Sequence, residues 1–157
     1  MIRSSESVHV VPAITPVDIT TTTTYTDVFN TGKTQWLQFL LQFGAITGDT
    51  AAVTVEECSD TSATGATAIA FTYRLSSATG TDSLGAVTAA TSSGVTVAAT
   101  DDNKVLIIDV DPATLSATKP YVRVAIDPGG SMSAFVVGAV ALAEPRYAGA
   151  TNVSLVD

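Results

Sequence analysis

The chain has little charge, one cysteine, one histidine, one tryptophan and no long apolar run. Each shortage removes a class of function. Charged residues make up 14% of the 157, against roughly 25% in an ordinary soluble domain. Seven are basic and fifteen acidic, a formal net charge of −8. The basic residues (Arg3, Lys33, Arg74, Lys104, Lys119, Arg123 and Arg146) are scattered along the chain. Nucleic-acid backbones need clustered Lys and Arg, so a nucleic-acid partner is not expected. No stretch approaches the roughly 20 apolar residues of a membrane-spanning helix, so a membrane is not expected either. The first sixteen residues, MIRSSESVHVVPAITP, hold no continuous apolar segment of the secretory kind. The expectation is a product released into the cytoplasm that makes it.

The same poverty bears on chemistry. Cys58 is the only cysteine, so no internal disulfide forms and stability must come from packing. One Cys and one His cannot supply the usual zinc ligand set. A Ser-His-Asp triad would have to run through His9, which lies in an irregular N-terminal segment, and no G-x-S-x-G turn surrounds any serine. Phosphate-binding glycine motifs are missing, and GGSMSAF (Gly129 to Phe135) leads into a strand rather than a helix N-terminus. The acidic neighbours Glu56-Glu57 and Asp101-Asp102 diverge in a strand or turn. Asp109 and Asp111 share a face, and all read as solvated acids. No catalytic, cofactor-binding or metal-binding residue is expected, and no enzyme.

What the sequence has in quantity is alternation. Val53 and Val55 alternate with Thr54 and Glu56; Ile69, Phe71, Tyr73 and Leu75 with Ala70, Thr72 and Arg74; Val122, Val124 and Ile126 with Tyr121, Arg123 and Ala125. Period 2 with β-branched and aromatic residues on one side is the pattern of half-buried strands. KVLIIDVD (Lys104 to Asp111) and SAFVVGAVALA (Ser133 to Ala143) are apolar on both faces, as more central strands are. Thr31-Gly32, Thr47-Gly48-Asp49, Ser59-Asp60, Gly80 to Gly85, Asp101-Asp102-Asn103 and Asp127-Pro128-Gly129-Gly130 favour reversals. DPATLSATKP (Asp111 to Pro120) suits one short helical turn, with Asp111 as cap and Pro112 at its first position. These signals predict an all-β fold: an antiparallel β-sandwich of about eight or nine strands, jelly-roll or immunoglobulin-like, with strand order unreadable. The sandwich would span residues 17–143, between an extended N-terminal arm (1–16) and a C-terminal arm (144–157).

WLQFLLQF (Trp36 to Phe43) is the most apolar stretch. It fits a helical period, yet Gly32 and Gly44 leave about eleven residues between them, comfortable for a strand and short for a helix. As a strand, it points Leu37, Phe39, Leu41 and Phe43 into a core. Trp36, Gln38, Leu40 and Gln42 then lie opposite, covered either by this chain or by another. Burying a tryptophan is worth on the order of 4–6 kcal/mol before ordering costs, so Trp36 is a natural anchor. The candidate interface residues are Trp36 and Leu40, with Val10, Val11, Ile14, Arg146 and Tyr147 from the two arms.

AAVTVEECSDTSATGATAIAFTYRL (Ala51 to Leu75) reads as a valine strand, a small-residue loop and an aromatic strand, and KPYVRVAIDPGG with SAFVVGAVALAEPR (Lys119 to Arg146) as a closing strand pair. Together with the Thr/Ala/Val-rich, cysteine-poor composition, these stretches resemble the head decoration, or cement, proteins of tailed bacteriophages over Thr15 to Arg146. The resemblance implies a non-enzymatic virion subunit on the capsid exterior, made in the bacterial cytoplasm. Such a subunit binds junctions of the major capsid protein and itself as a dimer or trimer. The alternatives are another virion component (tail, fibre or head–tail joining protein) and a carbohydrate-binding or cell-surface sandwich.

Overall fold

The structure, a computed structural model, describes residues 7–146 and 155–156. These form twelve strands joined by turns and short 3-10 segments. In chain order they are β1 (His9–Asp18), β2 (Thr24–Tyr25), β3 (Phe29–Asn30), β4 (Thr34–Thr47), β5 (Ala51–Cys58) and β6 (Thr67–Ile69). They continue with β7 (Phe71–Leu75), β8 (Thr88–Ala90), β9 (Val95–Val97), β10 (Val105–Val110), β11 (Tyr121–Pro128) and β12 (Ala134–Pro145). The count exceeds the expected eight or nine because β2, β3, β6, β8 and β9 are two or three residues long. Such lengths are too short for alternation to register.

Two antiparallel sheets result. One runs β1-β12-β4-β10-β7-β8. The other runs β2-β11-β5-β6, with β3 also on β11 and β9 also on β5. Counting β2 and β3 as one interrupted strand and setting β6–β8 aside leaves eight principal strands. Their order is first-eighth-third-sixth in one sheet and second-seventh-fourth-fifth in the other. That is the jelly-roll arrangement, so of the two expected topologies the immunoglobulin-like one does not apply. The β6–β8 segment is an insertion between the fourth and fifth principal strands. It passes from one sheet to the other through the single residue Ala70.

The core lies between the sheets and follows the alternation. Leu37, Phe39, Leu41 and Phe43 of β4 are buried, and register sets Val110, Ile108 and Leu106 of β10 beside the first three of these. From the opposite sheet come Val53, Val55, Val122, Val124 and Ile126, all fully buried. Phe29 meets Phe39 edge to face at 5.2 Å between ring centroids, and Phe43 packs on Phe135 at 5.8 Å, separations typical of favourable aromatic pairs. On β12 the inward positions Ala139, Ala141 and Ala143 are small, which leaves room for these rings.

WLQFLLQF is a strand, and it does not stop at Gly44: β4 continues to Thr47. Here glycine marks a close approach rather than an end. A Cβ at Gly44 would come within 2.9 Å of the Val136 Cβ on β12. Two carboxylates tie down the ends of this region, with Asp102 Oδ1 accepting from the Ile46 N–H at 2.6 Å and Asp18 Oδ1 from the Phe135 N–H at 2.7 Å. Asp111 caps the short turn Pro112–Thr114 through the Ala113 N–H, as its sequence predicts. At the chain ends, His9 to Pro16 lie in β1, paired along β12. Leu155 is buried in the core, its carbonyl accepts from the Asn30 N–H at 2.9 Å, and Val156 bridges to Phe29.

Candidate functional site

In an antiparallel sheet, residues directly opposite each other share a face. The face of the β1-β12-β4-β10-β7 sheet turned away from the core can therefore be read off the register. Its central row is Pro12, Val140, Leu40, Ile107 and Arg74, one residue from each of five strands. The next row is Val10, Leu142, Gln38, Asp109 and Thr72. Beyond that lies Trp36 opposite Glu144, and on the far side Gly138, Gln42 and Val105, with Pro16 against Gly138. Seven large or ring-bearing apolar side chains (Val10, Pro12, Trp36, Leu40, Ile107, Val140, Leu142) thus form one contiguous patch. Val10 is 58% exposed and Val140 37%; Trp36, Leu40, Ile107 and Leu142 are half-buried by their neighbours in the sheet. Pro12 is exposed as well, so the β1–β12 part of the face is open to solvent.

At about 4.8 Å between strands and 3.4 Å per residue, the block of four strands that holds these side chains covers about 19 by 20 Å, or roughly 400 Å² in projection, shared between the apolar groups and Gln38, Gln42, Asp109 and Glu144. Polar groups inside it are spent on one another: Gln38 Nε2 donates to Asp109 Oδ1 at 2.6 Å. The outer face of the second sheet is different in kind. There Arg123 Nε bonds Glu56 Oε2 at 2.7 Å, and its guanidinium sits 3.8 Å from the centre of the Tyr25 ring. Ala52, Thr54 and Ala125 share that face.

The expected interface residues divide by this geometry. Trp36, Leu40 and Val10 are brought together on the apolar face. Val11 and Ile14 belong to the other side of β1: Ile14 is 8% exposed and Val11 packs against the core. Arg146 lies at the end of β12, its N–H donating to the Lys33 carbonyl; Tyr147 falls outside the described residues. Pro12, Ile107, Val140 and Leu142 were not anticipated. The available signal was the double-sided apolar character of the β10 and β12 segments, which reads equally as burial between two layers.

Where the two sheets part beside β6 and β10 there is an open cleft of about 900 Å³, lined among others by Glu57, Phe71, Asp109, Asp111 and Ser116. Its carboxylates have local partners. Asp111 and Asp109 are engaged as described above, drawn apart to a cap and to Gln38. Glu57, 6% exposed, accepts from the Ser116 N–H at 2.9 Å and the Ser116 hydroxyl at 2.7 Å, with Lys119 Nζ at 3.9 Å. Burial pushes the Glu57 carboxyl upward, but the two Ser116 hydrogen bonds and the Lys119 charge outweigh it and hold the group below its ordinary range. Burial pushes the Cys58 thiol up, away from the thiolate that reactivity needs. His9 sits on β1 opposite Ala143. Among the described residues, no three His, Cys, Asp or Glu side chains gather as metal ligands would.

Comparison with protein-family models, with curated proteins and with solved structures finds no match to this chain.

Proposed function

We propose that this protein is a non-enzymatic structural subunit of a tailed-bacteriophage virion, binding the outer surface of the capsid and stabilising contacts between major capsid proteins. The observation that carries the proposal is the apolar outer face around Leu40 and Val140. It lies on the middle strands of a sheet, and no metal-ligand cluster gathers among the described residues, which suits a protein surface better than a small substrate. The strand-level resemblance to capsid decoration proteins over Thr15 to Arg146 supplies the biological setting. In that setting the mechanism is linkage: a subunit that binds the assembled, expanded shell and not its dissociated parts stabilises the shell by mass action.

The test is cosedimentation of the purified protein with expanded shells, unexpanded shells and free subunits of the major capsid protein encoded with it. Saturable binding to expanded shells, with a rise in their melting temperature, is expected. No binding to any of the three, together with a hit on a glycan array, would replace this reading with a sugar-binding one.

A further inference from the structure

We propose that the outer face of the second sheet, on the opposite side of the molecule from Leu40, binds a neutral glycan, with the Tyr25 ring as the platform on which a pyranose stacks. The inference concerns a different surface from the virion reading and stands independently of it. A fixed aromatic ring and the polar groups around it carry it.

Register places the groups. Tyr25 stands opposite Ala125, and Ala125 opposite Thr54. The next row on one side is Arg123, Glu56 and Ala68, and on the other Asp127, Ala52 and Thr96. Beyond Arg123, Tyr121 lies between Asn30 and Cys58. Strand pairing thus brings two of the four tyrosines to one face, their backbones about 14 Å apart, a separation that takes an oligosaccharide rather than a single sugar to span. Tyr25 is 44% exposed, whereas the Arg123 side chain is 18% exposed with its guanidinium centre 3.8 Å from the ring centroid. The guanidinium therefore takes the inner face of the ring, and the other face is turned to solvent. Glu56 holds the guanidinium in turn, at 2.7 Å. A ring fixed in this way gives up little freedom when a ligand lands on it.

A pyranose has a face of C–H groups and a rim of hydroxyls. Its C–H face gains dispersion contact on an exposed aromatic ring. Its rim needs hydrogen-bonding groups of fixed position, and the same face holds them. Arg123 has guanidinium N–H groups besides the one on Glu56, and the Glu56 carboxylate has lone pairs to spare. Asp127, oriented by the Thr23 hydroxyl that donates to its Oδ1 at 2.7 Å, and the Thr54 hydroxyl stand in the neighbouring rows. Ala52, Ala68 and Ala125 are small, which leaves room over the sheet beside the ring. Charge selects a neutral sugar over an acidic one: Arg123 is already paired with Glu56, Asp127 adds a negative charge, and the chain carries −8 overall, so a uronate meets repulsion. An open face with one stacking ring suits a glycan chain running over the sheet better than an enclosed small molecule.

The experiment is native affinity electrophoresis of the full chain through gels containing a soluble β-glucan, an α-glucan, a galactomannan or hyaluronate. It is run on the parent, Tyr25→Ala, Tyr25→Phe and Leu40→Asp, with circular dichroism to confirm that each folds. The expected result is retardation by at least one of the three neutral polysaccharides and none by hyaluronate. The dissociation constant should rise about tenfold in Tyr25→Ala and stay within about twofold of the parent in Tyr25→Phe, which keeps the ring. Leu40→Asp, on the other sheet, should bind as the parent does. No retardation of the parent by any neutral polysaccharide overturns the proposal, as does retardation that Tyr25→Ala leaves intact or Leu40→Asp removes. Trp36 lies on the opposite sheet, so its emission should not move as sugar binds, and a shift would place the sugar elsewhere and overturn the proposal without any variant. Shell cosedimentation keeps the two proposals apart. Sugar binding without shell binding leaves this inference standing and removes the virion reading, and shell binding without sugar binding does the reverse.

Discussion

Leu40 and Leu41 are chain neighbours of identical chemistry in opposite surroundings, which makes them a controlled pair. Leu41 is fully buried between the sheets, beside Leu106 and Ala139; Leu40 is half-buried on the outer face. Leu41→Ala deletes three buried carbon groups. At about 0.8 kcal/mol each, plus a cavity term, the cost is about 3–4 kcal/mol. In a chain of this size each kcal/mol moves the melting temperature by roughly 2–4 °C, so a fall of about 6–16 °C is expected. Leu40→Ala removes the same atoms from a site that keeps part of its water contact, and about 1 kcal/mol or less is expected. Urea unfolding with an unchanged m-value, at the lowest workable protein concentration so that self-association does not contribute, measures both. Equal losses at the two positions would refute the assignment of the outer face.

Glu57 has a folded-state pKa below its ordinary value of 4.5, so its contribution is complete above the unfolded pKa and drains away as pH falls through the folded one. Melting temperature should drop on acidification below about pH 4.5, and Glu57→Gln should flatten that dependence; an unchanged profile would remove Glu57 from the account. Cys58, fully buried and with its thiol pKa raised, should react with a thiol reagent only as fast as the protein opens, and immediate labelling of the native protein would contradict its placement. Trp36 is the only tryptophan. Its emission should lie at intermediate wavelength in dilute monomer and shift to the blue on association or shell binding, and a blue-shifted, concentration-independent spectrum would mean that the chain itself covers it.

How much of this was legible beforehand depends on the range of the signal. Alternation is local, and it located β5, β11 and β7, though it ran Ile69 into β7 where the chain crosses between the sheets at Ala70; runs apolar on both faces located β10 and β12. Local chemistry also placed the Asp111 cap. Length against bounding glycines chose strand over helix for WLQFLLQF, although Gly44 proved to be a contact point inside the strand. Pairing is not local. His9 opposite Ala143, or Leu40 between Val140 and Ile107, joins segments that no window spans. The apolar face is assembled from β1, β4, β10 and β12, each contributing one or two residues, so no single segment displays it. Ile14 and Val11 illustrate the cost of reading an arm by composition: one residue of parity separates an outward Val10 from an inward Val11. Alternation also cannot tell a strand covered on both faces from one with an apolar face left open, and that distinction is what defines the site.

The position of β12 has a consequence for how the molecule comes to exist. It lies between β1 and β4, so until it arrives the first sheet is split in two, and β1 has nothing to pair with. Yet β12 follows all the other described strands in sequence. During synthesis the chain must therefore carry an open seam, with the β4 edge unpaired, until β12 emerges. Contacts this distant in sequence make closure slow and expose strand edges to other chains meanwhile. The prolines at positions 12 and 16 of β1 lack the N–H that a stray strand would bind, and so guard part of one waiting edge.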